Sequence, residues 1–298
     1  MKEIAYAAPR TLSEAVHLLS ERGPRARVLA GGTDLIVQLR ENTLSRRLGG
    51  LDPDTIVDVK NIPELTQLVC DPVSGLTIGA AVCCSRIYED RAVAQHYPCI
   101  VDSASLIGSV QIQNRASFGG NLCNASPAAD GIPPLVVLKA MLRVVGRNGS
   151  RTLPVTDFCT GPGRTVLIPG EVLVSIHVPP PRPRSGARYL RFIPRNEMDI
   201  AVVGVASMLE LEADLSTIRD AGICLAAVAP TPILVTEAAQ ALIGKKATPE
   251  VFEAAAEASR KAAKPITDMR GEEWQRRHLC GVLTVRTLED AFHRARGR

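Results

Sequence analysis

The stretch Gly108–Asp130, GSVQIQNRASFGGNLCNASPAAD, has the make-up of a surface that meets a flat or phosphorylated group. Three glycines and four alanines stand beside small polar side chains, no long charged side chain follows Arg115, and little bulk follows Phe118. Packing does not call for such a run, since Gly and Ala bury little area and Gly costs backbone entropy. It does allow a main chain to come close to a ligand and present its N–H groups. A large cofactor lying against the backbone is the chemistry suggested. A second stretch has related properties. Arg27-Val-Leu-Ala30 reads as a buried strand and Gly31-Gly32 as a tight turn, with Thr33 or Asp34 placed to cap a helix running to about Arg40. Such a turn can cradle a pyrophosphate. Alone the signal is weak, because a Gly-Gly turn with an Asp cap is commonly just a turn and Asp34 itself would repel phosphate.

Other chemistries find little support. Eight cysteines are scattered with no CxxC pair, and five histidines are isolated, so no zinc or iron–sulfur site is expected and the thiols are read as reduced and mostly buried. The net charge of +4 is spread without a basic block and aromatic residues make up 3%, which argues against nucleic acid as a partner. The longest apolar run, around Ile200 to Leu209, is roughly half of a bilayer span. The N-terminus holds no apolar signal core, and Glu3 and Glu14 argue against a transit peptide, so a cytoplasmic location is expected.

The elements that must carry these stretches follow from periodicity. Residues 4 to 8 read as a strand, and Thr11-Leu-Ser-Glu14 has capping-box spacing before a helix ended by Gly23-Pro24. Strands are expected at 54–59 and 76–80, helices at 85–94 and, capped by Asp102, at 103–113. Ser126-Pro127 would start a helix running to about Ala140. A hairpin crosses Gly146 to Gly149, and Leu173 to Val178 closes this half as a strand. The proline-rich run 179–187 marks a linker. Beyond it, strands at 188–193, 200–211 and 218–229 precede helices at 234–243, 249–261 (capped by Thr248) and within 271–295, a small α+β unit.

Together, Val28-Leu-Ala-Gly-Gly-Thr-Asp-Leu35 and the run Ile107 to Asp130 resemble the FAD-carrying medium subunits of the molybdenum hydroxylases, the carbon monoxide dehydrogenase and xanthine dehydrogenase family. The likeness spans nearly the whole chain, since 188–201, RYLRFIPRNEMDIA, is similar to the start of that family's C-terminal domain. The resemblance implies an α+β chain. Its two-subdomain FAD-binding domain of the vanillyl-alcohol-oxidase (PCMH) type would occupy 1–178, with subdomains of about 1–60 and 61–178. A C-terminal flavoprotein domain with a three-stranded antiparallel sheet and helices would occupy 188–298. It implies that Val28, Leu29, Ala30, Gly31, Gly32, Thr33, Asp34 and Leu35 wrap the FAD pyrophosphate, while Ser117, Phe118, Gly119, Gly120 and Asn121 line the cofactor from the other side. Ile107 and Gly108 would pack near the adenine or ribose end. Asp130 would meet sugar or ribityl hydroxyls, and Leu173 would make an apolar contact near the flavin. Arg191 stands where the family often has a lysine near the isoalloxazine; it keeps the charge that would stabilise reduced flavin but changes the geometry. Ser117 replaces the more usual threonine and keeps the hydroxyl. No cysteine-bearing insertion for an extra cluster is present.

By the same resemblance the chain is an electron-transfer subunit without an acid–base triad of its own. Its partners would be a small 2Fe-2S subunit and a large molybdopterin subunit, two copies of each forming a heterohexamer. Electrons would pass from the clusters through FAD to NAD, a quinone or oxygen. A stand-alone FAD oxidoreductase would need a substrate pocket with its own acid or base, for which the isolated histidines offer nothing. A flavin-free scaffold would not need Gly31, Gly32, Gly119, Gly120 and Asp130.

Overall fold

The computed structural model describes residues 3–44, 50–195 and 198–297. The chain opens with β1 (Ala5–Ala7), α1 (Leu12–Arg22), β2 (Ala26–Leu29), α2 (Leu35–Arg40) and β3 (Thr55–Asp58). The strands form a parallel sheet in the order β1-β3-β2. Helix α1 starts on the expected capping box, Thr11 with Glu14, and buries Ala15, Val16 and Leu19. It stops at Gly23, whose φ of 56° suits a residue without a Cβ.

Next come α3 (Pro63–Thr66), β4 (Leu68–Asp71), β5 (Gly75–Gly79), α4 (Cys84–Glu89), α5 (Arg91–His96), α6 (Pro98–Ala104), α7 (Val110–Gln113), α8 (Phe118–Asn124) and α9 (Ile132–Val137). Strands β6 (Met141–Gly146), β7 (Gly149–Pro154) and β10 (Val172–Val178) join β4 and β5 in an antiparallel sheet, order β4-β5-β10-β6-β7; β8 (Cys159–Gly161) and β9 (Arg164–Thr165) form a small hairpin beside it. Several expected helices are shorter here. The 85–94 helix is two helices, because Asp90 is extended and its carboxylate caps α5 through Val93 N–H. Asp102 caps nothing; it lies inside α6, which ends at Ala104, and α7 is a separate single turn. Ser126 does not start a helix either. Helix α9 begins at Ile132, with Pro133 and Pro134 in the first turn, where a missing N–H breaks no helical bond.

The C-terminal part has β11 (Ser185–Phe192), β12 (Val203–Leu211), β13 (Ile218–Ala226) and β14 (Ile233–Leu234), then α10 (Thr236–Leu242), α11 (Pro249–Ala262) and α12 (Glu273–Ala295). The expectation of three strands needs one addition: the two-residue β14 pairs with the edge of β13, making an antiparallel sheet in the order β11-β12-β13-β14. The continuous apolar run in β12 has a clear cause. Val203, Val205, Leu209 and Leu211 pack into a core with α10, α11 and α12, whereas Ala206 faces the other way, into the core of the five-stranded sheet. Tyr189 and Ala187 of β11 join the core of the five-stranded sheet, and Leu190 and Phe192 pack on the core formed with the three helices. Both faces of the sheet are therefore covered.

Thr248 caps α11 as expected, its hydroxyl accepting from Val251 N–H at 3.4 Å. Thr248→Ala is expected to cost about 1 kcal/mol and to lower the melting temperature by about 2 °C. Scanning calorimetry measures that loss, and an unchanged midpoint would contradict the cap.

Candidate cofactor site

The first glycine turn leaves β2 at Leu29. Its backbone is held from beneath by residues the sequence did not single out. Val59 N–H donates to Leu29 O at 3.1 Å, and Lys60 Nζ donates to Ala30 O at 3.2 Å while pairing with Asp58 at 2.7 Å. Tyr6 adds a hydroxyl to the same carboxylate at 2.6 Å. Burial alone pushes the Asp58 carboxyl up, but the bonds from Lys60 and Tyr6 outweigh it and hold it below the usual carboxylate range. A depressed folded pKa means stability present at neutral pH and lost as the pH falls through it. Lys60→Met removes both the ion pair and the prop under Ala30. The variant is expected to lose on the order of 1 kcal/mol near neutral pH, with a smaller deficit near pH 3. Urea titrations at the two pH values test this, and an equal deficit at both would show that the ion pair contributes nothing.

Gly32 has φ of 78° and requires glycine, and its carbonyl accepts from Ile36 N–H at 3.0 Å. The expected side-chain cap is not formed: Asp34 occupies the cap position, but its carboxylate does not accept a cap hydrogen bond. Helix α2 is six residues long, about 9 Å, so its dipole is small and any anion here depends on local N–H groups. The whole turn from Val28 to Leu35 is partly or fully exposed, and Ile36 and Val37 present apolar side chains to solvent.

In the second stretch, Ser117 is the N-cap of α8 and its hydroxyl accepts from Gly120 N–H at 3.0 Å. The two glycines that follow serve different ends. A Cβ on Gly119 would lie 2.5 Å from Ala80 O and 2.6 Å from Ala80 Cα, so this glycine permits α8 to seat on the chain leaving β5. A Cβ on Gly120 would meet only Ser117 Oγ, at 2.8 Å, and otherwise open space. Phe118 points into the core and is fully buried, while Asn121 Oδ1 accepts from Gly131 N–H at 3.0 Å. Upstream, Ile107 is buried and Gly108 turns the chain with φ of 64°.

The fold brings the two glycine stretches into direct contact. A Cβ on Gly31 would lie 2.1 Å from Arg115 O and 2.8 Å from Ala116 Cα. Gln38 Nε2 of α2 donates to Asn124 Oδ1 of α8 at 2.9 Å, a second tie between the same segments.

Asp130 and Arg191 meet each other. Arg191 Nη1 donates to Asp130 Oδ2 at 2.7 Å and Tyr189 OH to Asp130 Oδ1 at 2.7 Å, with the Arg191 and Asp130 side chains 6% and 8% exposed. Burial pushes the Asp130 carboxyl up despite the opposing pull of Arg191 and Tyr189, and burial together with Asp130 pushes the Tyr189 phenol well above its usual value. Arg191 Nε is buried with no acceptor among the described residues. Leu173 lies in the hydrophobic core at 2% exposure.

The residues present fit FAD. Two glycine turns abut, one glycine face is open, and a buried guanidinium N–H lacks an acceptor beside a carboxylate that retains lone pairs for hydroxyl donors. A cleft of about 270 Å³ lies elsewhere, among Tyr97, Pro179, Pro180, Met208 and Arg294, and none of the residues above lines it. All eight cysteines are free, and burial pushes the Cys84 and Cys123 thiols up to about 12, which makes them poor nucleophiles. Among the described residues no group of three His, Cys, Asp or Glu is placed to hold a metal ion, and no helix is long and apolar enough to cross a membrane.

Comparisons with known proteins show the family. Residues 2–181 match the family model of the FAD binding domain in molybdopterin dehydrogenase, and residues 188–291 that of the CO dehydrogenase flavoprotein C-terminal domain. The xanthine dehydrogenase FAD-binding subunit of Escherichia coli O157:H7 is 31% identical over 296 residues, covering 99% of this chain and 98% of its own. Among solved structures, a chain of carbon monoxide dehydrogenase from Hydrogenophaga pseudoflava superposes with a TM-score of 0.90 at 30% identity, covering 98% of both chains. A chain of quinoline 2-oxidoreductase from Pseudomonas putida 86 superposes with a TM-score of 0.88 at 28% identity, covering 99% of both. A Gly-Gly turn set against a second glycine-rich helix start, a C-terminal sheet buried on both faces, and two family matches that together take in nearly all of the sequence lead to one conclusion: the chain belongs to the FAD-binding medium subunits of the xanthine dehydrogenase and carbon monoxide dehydrogenase family.

Proposed function

We propose that this chain is the electron-transfer subunit of a molybdopterin-dependent hydroxylase or dehydrogenase. It would take electrons from the 2Fe-2S clusters of a small partner subunit, with substrate handled on a large molybdopterin subunit, and deliver them to NAD, a quinone or oxygen. The observation that carries the reading is the contact of Gly31 with Arg115 and Ala116, which brings two distant glycine stretches together in one place. The names of relatives support the assembly: two are medium chains of carbon monoxide dehydrogenase and glyceraldehyde dehydrogenase, and another is the medium subunit of a nicotine 6-hydroxylase. A cytoplasmic heterohexamer of two copies of each subunit is part of the same proposal, as is division of the flavoprotein domain near residue 60.

Bound FAD would supply the exchange of single electrons for pairs. The chain's own residues bind and orient. Val28 to Leu35 wrap the pyrophosphate with main-chain N–H groups, and Ser117 to Asn121 form the opposite wall, with the open face of Gly120 admitting the cofactor. Ile107 and Gly108 flank the adenine or ribose end, and Leu173 backs the flavin end from the core. Arg191 Nε offers a donor to the flavin edge, and Asp130 accepts from hydroxyls through the lone pairs that Tyr189 and Arg191 leave free. Its ion pair with Arg191 lowers the net charge presented there, so tuning by Arg191 is weaker than that of a bare cation.

The absorbance spectrum of the purified chain, before and after incubation with FAD, tests the reading. Flavin bands at one FAD per chain are expected, together with copurification of iron–sulfur and molybdopterin subunits from the native host. A colourless chain that gains no flavin band would remove the reading.

A further inference from the structure

We propose that Asp102 is a positioning residue for the cofactor site, holding β11 in the register that places Tyr189 and Arg191 on Asp130; this rests on the FAD reading above. Asp102 lies inside α6 with its side chain 12% exposed. Its carboxylate accepts from Arg188 Nη1 at 2.7 Å, from Tyr189 N–H at 3.3 Å, and from Arg294 Nη1 and Nη2 at 2.7 and 3.0 Å. Arg294 Nη1 also donates to Ala187 O at 2.6 Å, and Arg188 Nε lies 3.1 Å from Asp290 Oδ2. Close packing accompanies these bonds, since a Cβ on Gly186 would lie 2.2 Å from Ala291 O of α12. One carboxylate thus gathers α6, the first half of β11 and the last turns of α12.

Tyr189 is where this cluster meets the cofactor site. Its backbone N–H is on Asp102 and its hydroxyl is on Asp130, so a single residue spans two carboxylates. Tyr189 and Arg191 share a strand face about 7 Å apart, so any slide of β11 moves both donors together. Their 2.7 Å bonds to Asp130 leave little slack. The charge of Asp102 matters as well as its shape. Two guanidinium groups converge on it, and an amide there would turn its NH₂ toward donors and leave both cations under-compensated.

The test uses the full chain with FAD itself as probe. Asp102→Asn, Arg294→Gln and Tyr189→Phe are compared with the wild type by FAD titration, visible circular dichroism of the bound flavin, and thermal melting. Asp102→Asn is expected to raise the FAD dissociation constant about tenfold and to change the flavin dichroism; Arg294→Gln should do the same to a smaller degree. In the Asp102→Asn, Tyr189→Phe double variant the effects should be less than additive, because both act through one strand. Folded Asp102→Asn and Arg294→Gln proteins that melt lower yet bind FAD with wild-type affinity and dichroism overturn the proposal, leaving Asp102 a stabilising clamp. Additive effects overturn it too. If Asp102→Asn does not fold, Arg294→Gln beside Arg294→Lys decides, since lysine keeps charge but not the fork. A wild-type chain that takes no FAD sinks the underlying reading instead, an outcome visible before any variant is made.

Discussion

Gly31→Val is expected to abolish FAD retention and to lower the melting temperature, whereas Gly120→Ala should weaken FAD binding in a protein that melts normally. The difference follows from what each glycine faces. A Cβ on Gly31 would sit 2.1 Å from a main-chain carbonyl oxygen, Arg115 O, which cannot rotate away as a side chain can. The two glycine stretches must then separate, at a cost of about 1–3 kcal/mol for overpacking against fixed backbone, and the proposed cofactor site between them is distorted. At Gly120 the neighbour is Ser117 Oγ at 2.8 Å, the cap acceptor of the same residue's N–H, so a methyl group that displaces it costs about 1 kcal/mol of capping, roughly what alanine's better helix propensity returns. What the methyl does occupy is the open face where the cofactor is proposed to lie. Gly119→Ala serves as the control, because its Cβ strikes Ala80 and its effect should appear in the melting curve first. The decisive comparison is FAD stoichiometry against melting temperature across the three variants. Full FAD content in Gly120→Ala would place the cofactor elsewhere.

Arg191→Met should be the most destabilising change at the proposed site. It leaves Asp130 buried with one donor, Tyr189, and breaking a buried pair from one side costs about 3–5 kcal/mol. The pH dependence has a definite sign. Burial already holds the Asp130 carboxyl above its usual value, and Arg191 is the strongest opposing influence, so its removal raises the folded-state value further. A raised carboxyl pKa gives a stability contribution that is present below the unfolded value and lost as the pH rises through the folded one. The variant should therefore be closest to the wild type in mild acid and fall behind as the pH increases. Denaturant melts at pH 5 and pH 8 decide: a deficit that is equal, or larger at pH 5, would mean that Asp130 is not charged against Arg191. In material that retains FAD, loss of the guanidinium is also expected to lower the flavin midpoint potential, by less than removal of an unpaired cation would.

Local signals carried much of the fold. The capping box at Thr11, the cap at Thr248, the glycine stop at Gly23 and the hairpin across Gly146 to Gly149 are set within a few residues of chain, and they were readable. Helix lengths between 85 and 140 were not. There the chain is bent around the five-stranded sheet, and side chains that look like caps are used for something else: Asp102 reaches residues 188 and 294, and Ser126 makes only a local turn. The glycine stretches were legible as a backbone surface, but the reason for each glycine was not. Only coordinates separate Gly119, which packs on Ala80, from Gly120, which faces open space. Tyr6 and Tyr189 carried no signal because each acts through a partner far along the chain, and Lys60 none because its bond to Ala30 O exists only once β2 and β3 are paired.

The partners of Asp102 and Asp130 have a consequence for the order in which the protein can be made. Asp130 receives its donors 59 and 61 residues later in the sequence, and Asp102 receives its own 86 and 192 residues later. A chain emerging from the ribosome thus displays both glycine turns while Asp102 and Asp130 still await their cations. Asp130 and Asp102 are compensated only after the C-terminal sheet and its long helix have docked. Capture of FAD at the proposed site would then follow translation, and a prematurely terminated chain would carry the recognisable motifs without the charge partners of Asp102 and Asp130.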